Sequence, residues 1–175
     1  MKLSRVLSSA KCLFKRPLIF LINRGEQVSF IIRASSYLSK RIPGFYYASL
    51  VVDVLIHLFY GVECTSSTIE CDRLIVGHMA GLVLGGNGIR CRGKLHVSSG
   101  VVFARKYTDK EHHAGPMFDI QGTLTVGSNT VIVGPCSFTG NIVIGALSLV
   151  NPGTYTDGIY VGAPAKALST RVSNG

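Results

Sequence analysis

Apolar residues recur every six positions near the C-terminal end of the chain. The members of this series are Ile120, Val126, Ile132, Phe138, Ile144 and Val150. Small residues accompany the series: Gly127 and Gly145 directly follow a member, and Thr130, Cys136 and Ser148 stand four positions after one. A period of six fits neither an α-helix, at ~3.6 residues, nor a strand, at ~2, and it predicts a repeat architecture. We interpret each hexad as one flat side of a triangular coil, with the apolar residue pointing inwards and small residues at the corners.

The same spacing extends towards the N-terminus with two interruptions. Earlier members of the series are Ile69 and Ile75 and, after a slip, Val83, Ile89, Leu95 and Val101. The phase then breaks before Ile120, across a polar and charged stretch that we interpret as a loop extruded from the coil over residues 104–117. The pattern predicts an all-β protein with a helical N-terminal segment, the β part being a left-handed parallel β-helix of hexapeptide repeats over residues 61–168. Residues 169–175 are expected to form a C-terminal tail.

Residues 1–60 have a different texture and predict about three short helices. Gly25 and the Ile42-Pro43-Gly44 step are the expected breaks. The last helix carries an apolar stripe at i, i+3 and i+4 spacing, suited to packing on the coil or on a partner subunit. Its members are Leu50, Val51, Val54, Leu55 and Leu58.

The net charge of +9 is concentrated at the N-terminus. Residues 1–45 hold nine Lys or Arg and one acid, Glu26. A basic face of this kind suits a membrane surface or an anionic glycan, and a simple solvated helical face is the alternative. No aromatic-rich basic motif appears, so nucleic acid is not an expected partner. The apolar run 45–60 contains Asp53 and His57, and the run 17–23 is too short to span a bilayer, so we predict no transmembrane helix.

The cysteines give no sign of a disulfide framework or a metal site. There are five, an odd number, with no CxxC pair and no regular spacing: Cys12, Cys64, Cys71, Cys91 and Cys136. They predict reduced thiols in a cytoplasmic protein and small residues inside the coil, and no metal is expected.

Two further motifs narrow the function. One is His78-Met-Ala-Gly-Leu-Val-Leu-Gly85, with Glu63 fifteen residues before the histidine; the other is Tyr160-Val-Gly-Ala-Pro-Ala-Lys-Ala-Leu168. Together with the hexads, they make residues 45–168 resemble the serine acetyltransferase-like branch of the hexapeptide-repeat acyltransferases. That resemblance implies acyl transfer from acetyl-CoA without a metal, in a homotrimer that binds coenzyme A between neighbouring coils.

The resemblance also implies roles for individual residues. His78 falls on the catalytic histidine and Glu63 on its partner carboxylate, which is normally an aspartate. A histidine is a suitable general base because its free pKa of about 6.5 lies near working pH, and a carboxylate can orient it. His113, and with it His112, falls in a loop that helps hold the acceptor, with a solvated histidine pair as the alternative. The expected coenzyme A contacts are Gly145, Ala146, Gly162, Ala163 and Lys166.

The positions at which this chain departs from the serine acetyltransferase pattern bear on the identity of the acceptor. In serine acetyltransferases the catalytic histidine follows an aspartate and the loop histidine follows an arginine, whereas this chain has Gly77 and His112 there. The short N-terminal segment is similar to that of the capsule and exopolysaccharide acetyltransferases of the colanic-acid type. We therefore expect a sugar hydroxyl as acceptor, at the inner face of the membrane. Serine O-acetylation for cysteine synthesis is the alternative, and a non-catalytic β-helix scaffold is a third.

Overall fold

A computed structural model describes residues 23–85, 88–105 and 116–169 of the chain. It begins with two helices, α1 over Arg24–Arg41 and α2 over Phe45–Tyr60. The Asn23 side chain caps α1 by accepting a hydrogen bond from the Glu26 backbone N–H at 3.3 Å. The expected break at residues 42–44 separates the two helices, and Gly25 lies at the start of α1.

Twelve strands and one short 3₁₀ turn follow the helices, and they wind as a parallel coil. The strands in chain order are β1 Glu63–Cys64, β2 Ile69–Val76, β3 Val83–Leu84, β4 Ile89–Val97, β5 Val102–Arg105, β6 Phe118–Val126, β7 Val131–Gly134, β8 Cys136–Ile144, β9 Leu149–Val150, β10 Gly153–Tyr155, β11 Gly158–Val161 and β12 Lys166–Ser169. One sheet has the order β1-β3-β5-β7-β9, and the other has the order β12-β11-β8-β6-β4-β2, with β10 also paired to β8. All pairs are parallel except β11 with β12, which is antiparallel.

The long strands of the second sheet bend, so two sheets form three sides of a prism. The bend lies at Gly93 in β4, Gly122 in β6 and Gly140 in β8, which stack in register and all have positive φ. A Cβ on Gly122 would lie 2.3 Å from the carbonyl oxygen of Gly140. Glycine is required here because both the backbone conformation and the close approach of successive turns exclude a side chain.

The hexad series marks the interior as predicted. All six members from Ile120 to Val150 are at most 1% exposed. The pairing register explains the break in the hexad spacing before Ile120. Ile89 of the early series pairs with Phe118, whereas Ile120 of the late series pairs with Cys91. Each side of the prism therefore has two inward positions, two residues apart, and the early and late series follow different ones. Two members were wrong, because Ile75 and Val83 are only half-buried while their neighbours on either side are buried.

An insertion separates the second and third turns of the coil. Val97 pairs with Val126, and Val126 pairs with Ile144. The segment that joins Val97 to Val126 is much longer than the segment that joins Val126 to Ile144. The extra residues lie between β5 and β6. Strand β5 continues to Arg105, and Met117 is buried just before β6. Most of the expected loop, with residues 1–22 and 170–175 and Cys12, lies outside the described residues.

The helices pack on the first turn of the coil. Val28 and Ile32 of α1 and Ile56 of α2 join the coil interior in one apolar core. Of the two packing partners predicted for the stripe, the coil is excluded, since its members are all 40–70% exposed: Leu50, Val51, Val54, Leu55 and Leu58. Packing on a partner subunit stays a prediction. The opposite face of α2 also carries apolar residues, and the helix contacts the coil through that face.

Candidate functional site

One edge of the prism is built of small residues, and it carries both motifs that the sequence analysis singled out. We call it the small-residue edge. It consists of the stacked corners 77–81, 98–100, 127–129, 145–147 and 162–163. With strands ~4.8 Å apart, its four steps span roughly 19 Å.

Backbone hydrogen bonds hold these corners one above the other. The Gly77 N–H donates to the Val97 carbonyl and the Gly100 N–H to the Ala80 carbonyl, at 2.9 and 2.8 Å. Higher up, Leu147 N–H donates to Ser128 at 2.9 Å, and Gly145 N–H to Tyr160 at 2.8 Å. The edge is therefore a fixed backbone column rather than a set of independent loops.

His78 lies at the lowest corner of this edge, between β2 and β3, and its side chain is exposed. Glu63 opens β1, where it pairs with Val83 and donates its backbone N–H to the Leu82 carbonyl at 2.9 Å. Both candidates therefore belong to the first turn and face solvent. In the described part of the chain, no side-chain hydrogen bond or ion pair joins them, so the proposed pairing stays a prediction.

The first turn is braced from behind by both helices. A Cβ on Gly25 of α1 would lie 2.1 Å from the Val76 carbonyl oxygen, directly before Gly77 and His78. In α2, the Asp53 carboxylate accepts hydrogen bonds from the Ser66 backbone N–H at 3.2 Å and from the Cys64 thiol at 3.7 Å. Desolvation of this half-buried carboxyl raises the pKa of Asp53. These contacts hold β1, and with it Glu63, against α2.

His96 is a residue that none of the sequence motifs includes and that the structure brings to the same corner. It pairs with Ile75 across the turn, and its Nε2 lies 3.4 Å from the point where a Cβ on Gly77 would stand. The imidazole of the second turn thus occupies the space beside the backbone that carries His78. Only the register between β2 and β4 reveals this, and a bulge in β2 shifts that register.

The expected coenzyme A contacts are brought together at the upper end of the small-residue edge. Ala146, Gly162 and Ala163 are exposed, and Gly145 is half-buried. The Gly162 N–H donates to the Ser148 hydroxyl at 3.2 Å, and the Leu149 N–H donates to the Gly162 carbonyl at 2.9 Å. Lys166 is exposed at the start of β12, paired with Val161. These positions remain predictions as binding residues, although the glycines and alanines among them lie on two neighbouring corners of the edge.

Other candidate chemistry is absent or untested. His112 and His113 lie outside the described residues. Among the residues that the structure does describe, there is no group of three metal-ligating side chains and no helix long and apolar enough to cross a membrane. Burial raises the pKa of the Cys64 thiol to about 12, and that of Cys136 to about 12. These thiols are protonated near neutral pH, and a thiolate nucleophile is not available from them.

Comparison with solved structures establishes the fold. Neisseria gonorrhoeae serine acetyltransferase superimposes with a TM-score of 0.74 at 19% identity, covering 98% of this chain and 67% of that one. The soybean serine acetyltransferase apoenzyme gives 0.71 at 17% identity, covering 94% and 68%. Serine acetyltransferase from Brucella abortus in complex with coenzyme A gives 0.71 at 17% identity, covering 94% and 67%. No protein-family model and no curated protein matches the sequence. The chain therefore has the fold of about two thirds of each of these enzymes.

Proposed function

We propose that this protein is an O-acetyltransferase that transfers the acetyl group of acetyl-CoA directly to a hydroxyl. The small-residue edge is the observation that carries this proposal. It places His78 at one end and the two small-residue corners of the coenzyme A motif at the other, along one continuous backbone column. An extended thioester substrate lying along this edge can be bound largely by backbone groups, with Lys166 near a phosphate.

His78 would act as the general base. Its imidazole takes the proton of the acceptor hydroxyl as the oxygen attacks the thioester carbonyl. The tetrahedral intermediate then collapses, the C–S bond breaks, and the leaving thiolate takes the proton from the imidazolium. Glu63 would orient the imidazole and stabilise its charged form, after a side-chain movement that brings it within hydrogen-bond distance. This route needs no acyl-enzyme, in keeping with the protonated thiols of Cys64 and Cys136.

L-Serine is the acceptor that the structural comparisons favour. Solved neighbours include the Neisseria gonorrhoeae and soybean serine acetyltransferases in complex with serine. The sequence analysis ranked serine second, and the neighbours support it better than they support a sugar. Serine is therefore the first acceptor to test.

A sugar hydroxyl is the second candidate, and one feature of the site favours it. Gly77 presents no carboxylate beside His78, and His96 already stands next to its backbone. An ammonium group would then lack a counter-charge at this position, with the loss of a charge-assisted hydrogen bond worth ~1.5–3 kcal/mol. This feature supports the capsule or exopolysaccharide type of acetyltransferase.

The same proposal includes the handedness of the coil, the oligomeric state of the protein and its cellular location. The hexad period and the solved neighbours support a left-handed coil. A homotrimer, with acetyl-CoA bound between neighbouring coils, rests on the family resemblance. The expected location is the cytoplasm, at the inner face of the membrane.

The decisive experiment measures release of the free coenzyme A thiol from acetyl-CoA. Wild type, His78→Ala and His57→Ala are compared with and without millimolar L-serine and with capsule oligosaccharides. His57 is an exposed histidine of α2 to which the proposal gives no role in acetyl transfer, and its variant is the matched control. We expect His78→Ala to reduce turnover by at least ~10²-fold, the scale of a lost general base, while His57→Ala keeps the wild-type rate.

The outcomes separate the parts of the proposal. Serine-dependent release that His78→Ala abolishes supports serine acetylation, and release only with an oligosaccharide supports the sugar hypothesis. Equal rates in wild type and His78→Ala would contradict the role of the base. Failure of the wild type to bind acetyl-CoA in a calorimetric titration would contradict acyl transfer altogether and favour the scaffold alternative.

A further inference from the structure

The outward face of helix α2 is an unusually large apolar surface. We call it the outer face of α2; its members are 40–75% exposed, and they are Tyr46, Tyr47, Leu50, Val51, Val54, Leu55, Leu58 and Phe59. Single exposed apolar residues are ordinary, but a contiguous apolar patch this broad marks an interaction site. The coil is not its partner, because the coil packs on the opposite side of the helix.

The acidic residue of α2 lies on its inward side, while His57 is exposed beside the apolar members of the outer face. Ser49 and Ile56 are buried, and Asp53 turns towards the backbone of Ser66. Asp53 is the only acid of the helix, so the outer face presents no carboxylate. An acid-free apolar surface favours an apolar partner and presents no negative charge that would repel an anionic one.

Arginines stand at both ends of this surface. The hydrogen bond from the Tyr60 hydroxyl to Gln27, at 2.8 Å, shows that α1 and α2 run antiparallel, with the end of α2 beside the start of α1. Exposed Arg24 begins α1, at the end of the pair where α2 ends, and exposed Arg41 ends α1, at the end where α2 begins. The sequence before α1 adds five further Lys or Arg and no acid within residues 1–22.

The dimensions suit a helix that lies in a membrane surface rather than across it. At ~1.5 Å per residue, the 16 residues of α2 measure about 24 Å, short of a ~30 Å hydrocarbon core. Aromatic residues stand at both ends, with Tyr46 and Tyr47 at one and Phe59 at the other. Tyrosine in particular is enriched where membrane meets water. Interfacial helices combine such an apolar face with neighbouring cations that attract anionic lipids.

We propose that the outer face of α2 docks on the surface of an anionic phospholipid bilayer, with Arg24 and Arg41 meeting lipid phosphates. The charge pattern favours this occupant over a second copy of the chain. Two copies meeting on this face would bring like-charged ends together in a parallel pairing, and no acid on the face would offset them. The proposal does not rest on acetyl transfer and can be tested without any acceptor.

The test is sedimentation of the full-length protein with sucrose-loaded vesicles, made of phosphatidylcholine alone or of phosphatidylcholine mixed with phosphatidylglycerol. Leu58→Asp is compared with Leu168→Asp, since the two leucines are 70% and 69% exposed on α2 and on β12. We expect anionic vesicles to bind the wild type, with binding weakened by high salt. Leu58→Asp should weaken binding by about tenfold or more, and Leu168→Asp by less than about twofold.

A second readout uses the absence of tryptophan from the chain. Phe59→Trp places a single fluorophore on the outer face, where Phe59 is 73% exposed. Its emission should shift to shorter wavelength with anionic vesicles and be quenched by brominated lipids. Tryptophan is close to phenylalanine in character and stands at an exposed site, so this variant should fold as the wild type does.

Three results would overturn the proposal. The first is a wild type that does not sediment with anionic vesicles and a Phe59→Trp emission that does not change. The second is equal weakening by Leu58→Asp and Leu168→Asp. The third is a lipid-free oligomer, detected by light scattering, that Leu58→Asp dissociates, which would assign the face to a contact between copies of the chain.

Discussion

The upper turns of the coil and its first turn are built from the same kind of strand but differ in how tightly they close. From Phe118 to Val150, successive turns repeat with one constant spacing and every hexad leader is buried. At the start of the coil, β2 carries a bulge, and Ile75 and Val83, on either side of the corner that follows it, are half-buried. The regular turns provide stiffness, and the irregular turn provides space, which is where the candidate base His78 lies.

The contrast is sharpest along the small-residue edge. A Cβ on Gly127 would lie 2.5 Å from the Ala146 backbone nitrogen, so the upper turns leave no room between them. A Cβ on Gly77, at the equivalent corner of the first turn, would meet nothing closer than the tip of His96 at 3.4 Å. Gly77 therefore has space beside it that the equivalent position Gly127 lacks, and space of this kind is what a substrate beside His78 requires.

The largest effect should come from truncating a buried phenylalanine of the upper turns, and an exposed phenylalanine of α2 provides the comparison. Phe138 lies in β8, is 1% exposed and stacks on Tyr155. Phe138→Ala should lower the free energy of unfolding by about 3–5 kcal/mol, because the substitution leaves a cavity in the coil. Phe59→Ala, on the exposed face of α2, should change the free energy of unfolding by less than about 0.5 kcal/mol in lipid-free solution. Urea unfolding followed by circular dichroism measures both. A large loss from Phe59→Ala would mean that this face is covered in the free protein.

A smaller effect should separate the two glycines of the edge. Gly127→Ala should cost about 1–3 kcal/mol, because the backbone of the next turn must move away from the new methyl group. Gly77→Ala should cost less than about 1 kcal/mol, since only a side-chain tip has to yield. Thermal unfolding of the two variants tests the comparison directly, and similar losses at both positions would show that the first turn is as closed as the others.

The smallest effect concerns the ion pairs that attach α1 to the first turn. Glu70 contacts Lys40, and its other oxygen lies 3.7 Å from the Arg90 Nε, with the side chain 43% exposed. The hydrogen bond from Lys40 lowers the pKa of Glu70 from its usual 4.5. The pair therefore stabilises the fold above that pH, and its contribution is lost as the pH falls through the lowered value.

Because solvent screens this pair, Glu70→Gln should cost no more than about 1 kcal/mol at pH 7. The difference from wild type should vanish in acid, below the lowered pKa. Melting temperatures between pH 3 and pH 8 provide the measurement. A difference that persists unchanged at pH 3 would mean that Glu70 acts through packing rather than charge.

The parts of the fold that could be predicted are those in which a single regular spacing along the chain determines which residues are buried. A buried residue every six positions is visible in any sequence, and it located the interior from Ile120 to Val150. Ile75 and Val83 were misplaced because the corner between β2 and β3 and the bulge in β2 shift the phase by an amount that the spacing does not encode. Periodicity grouped the stripe of α2 on one face but left open whether the coil or a partner subunit covers it, because periodicity shows only which residues share a face.

The candidate site divides in the same way. The motifs located His78 and the glycine corners, because short spacings within a motif survive folding. The approach of His96 to Gly77 could not be predicted, since it depends on the register of two strands that belong to different turns of the coil. Whether Glu63 reaches His78 depends on side-chain rotation at an exposed position, which the sequence does not fix.

The way the coil ends bears on its tendency to aggregate. A stack of parallel strands has two open rims, each a row of unpaired backbone groups onto which another chain can add, and unprotected rims lead to fibres. Here α1 lies across the lower rim, with Ser36 donating to the carbonyl of Ile69 and Gly25 pressed against that of Val76. At the upper rim, β12 reverses direction on β11. The lower end of the second sheet is thus covered by α1, and its upper end finishes in an antiparallel strand that does not continue the parallel repeat, which disfavours addition of a further parallel turn to this sheet.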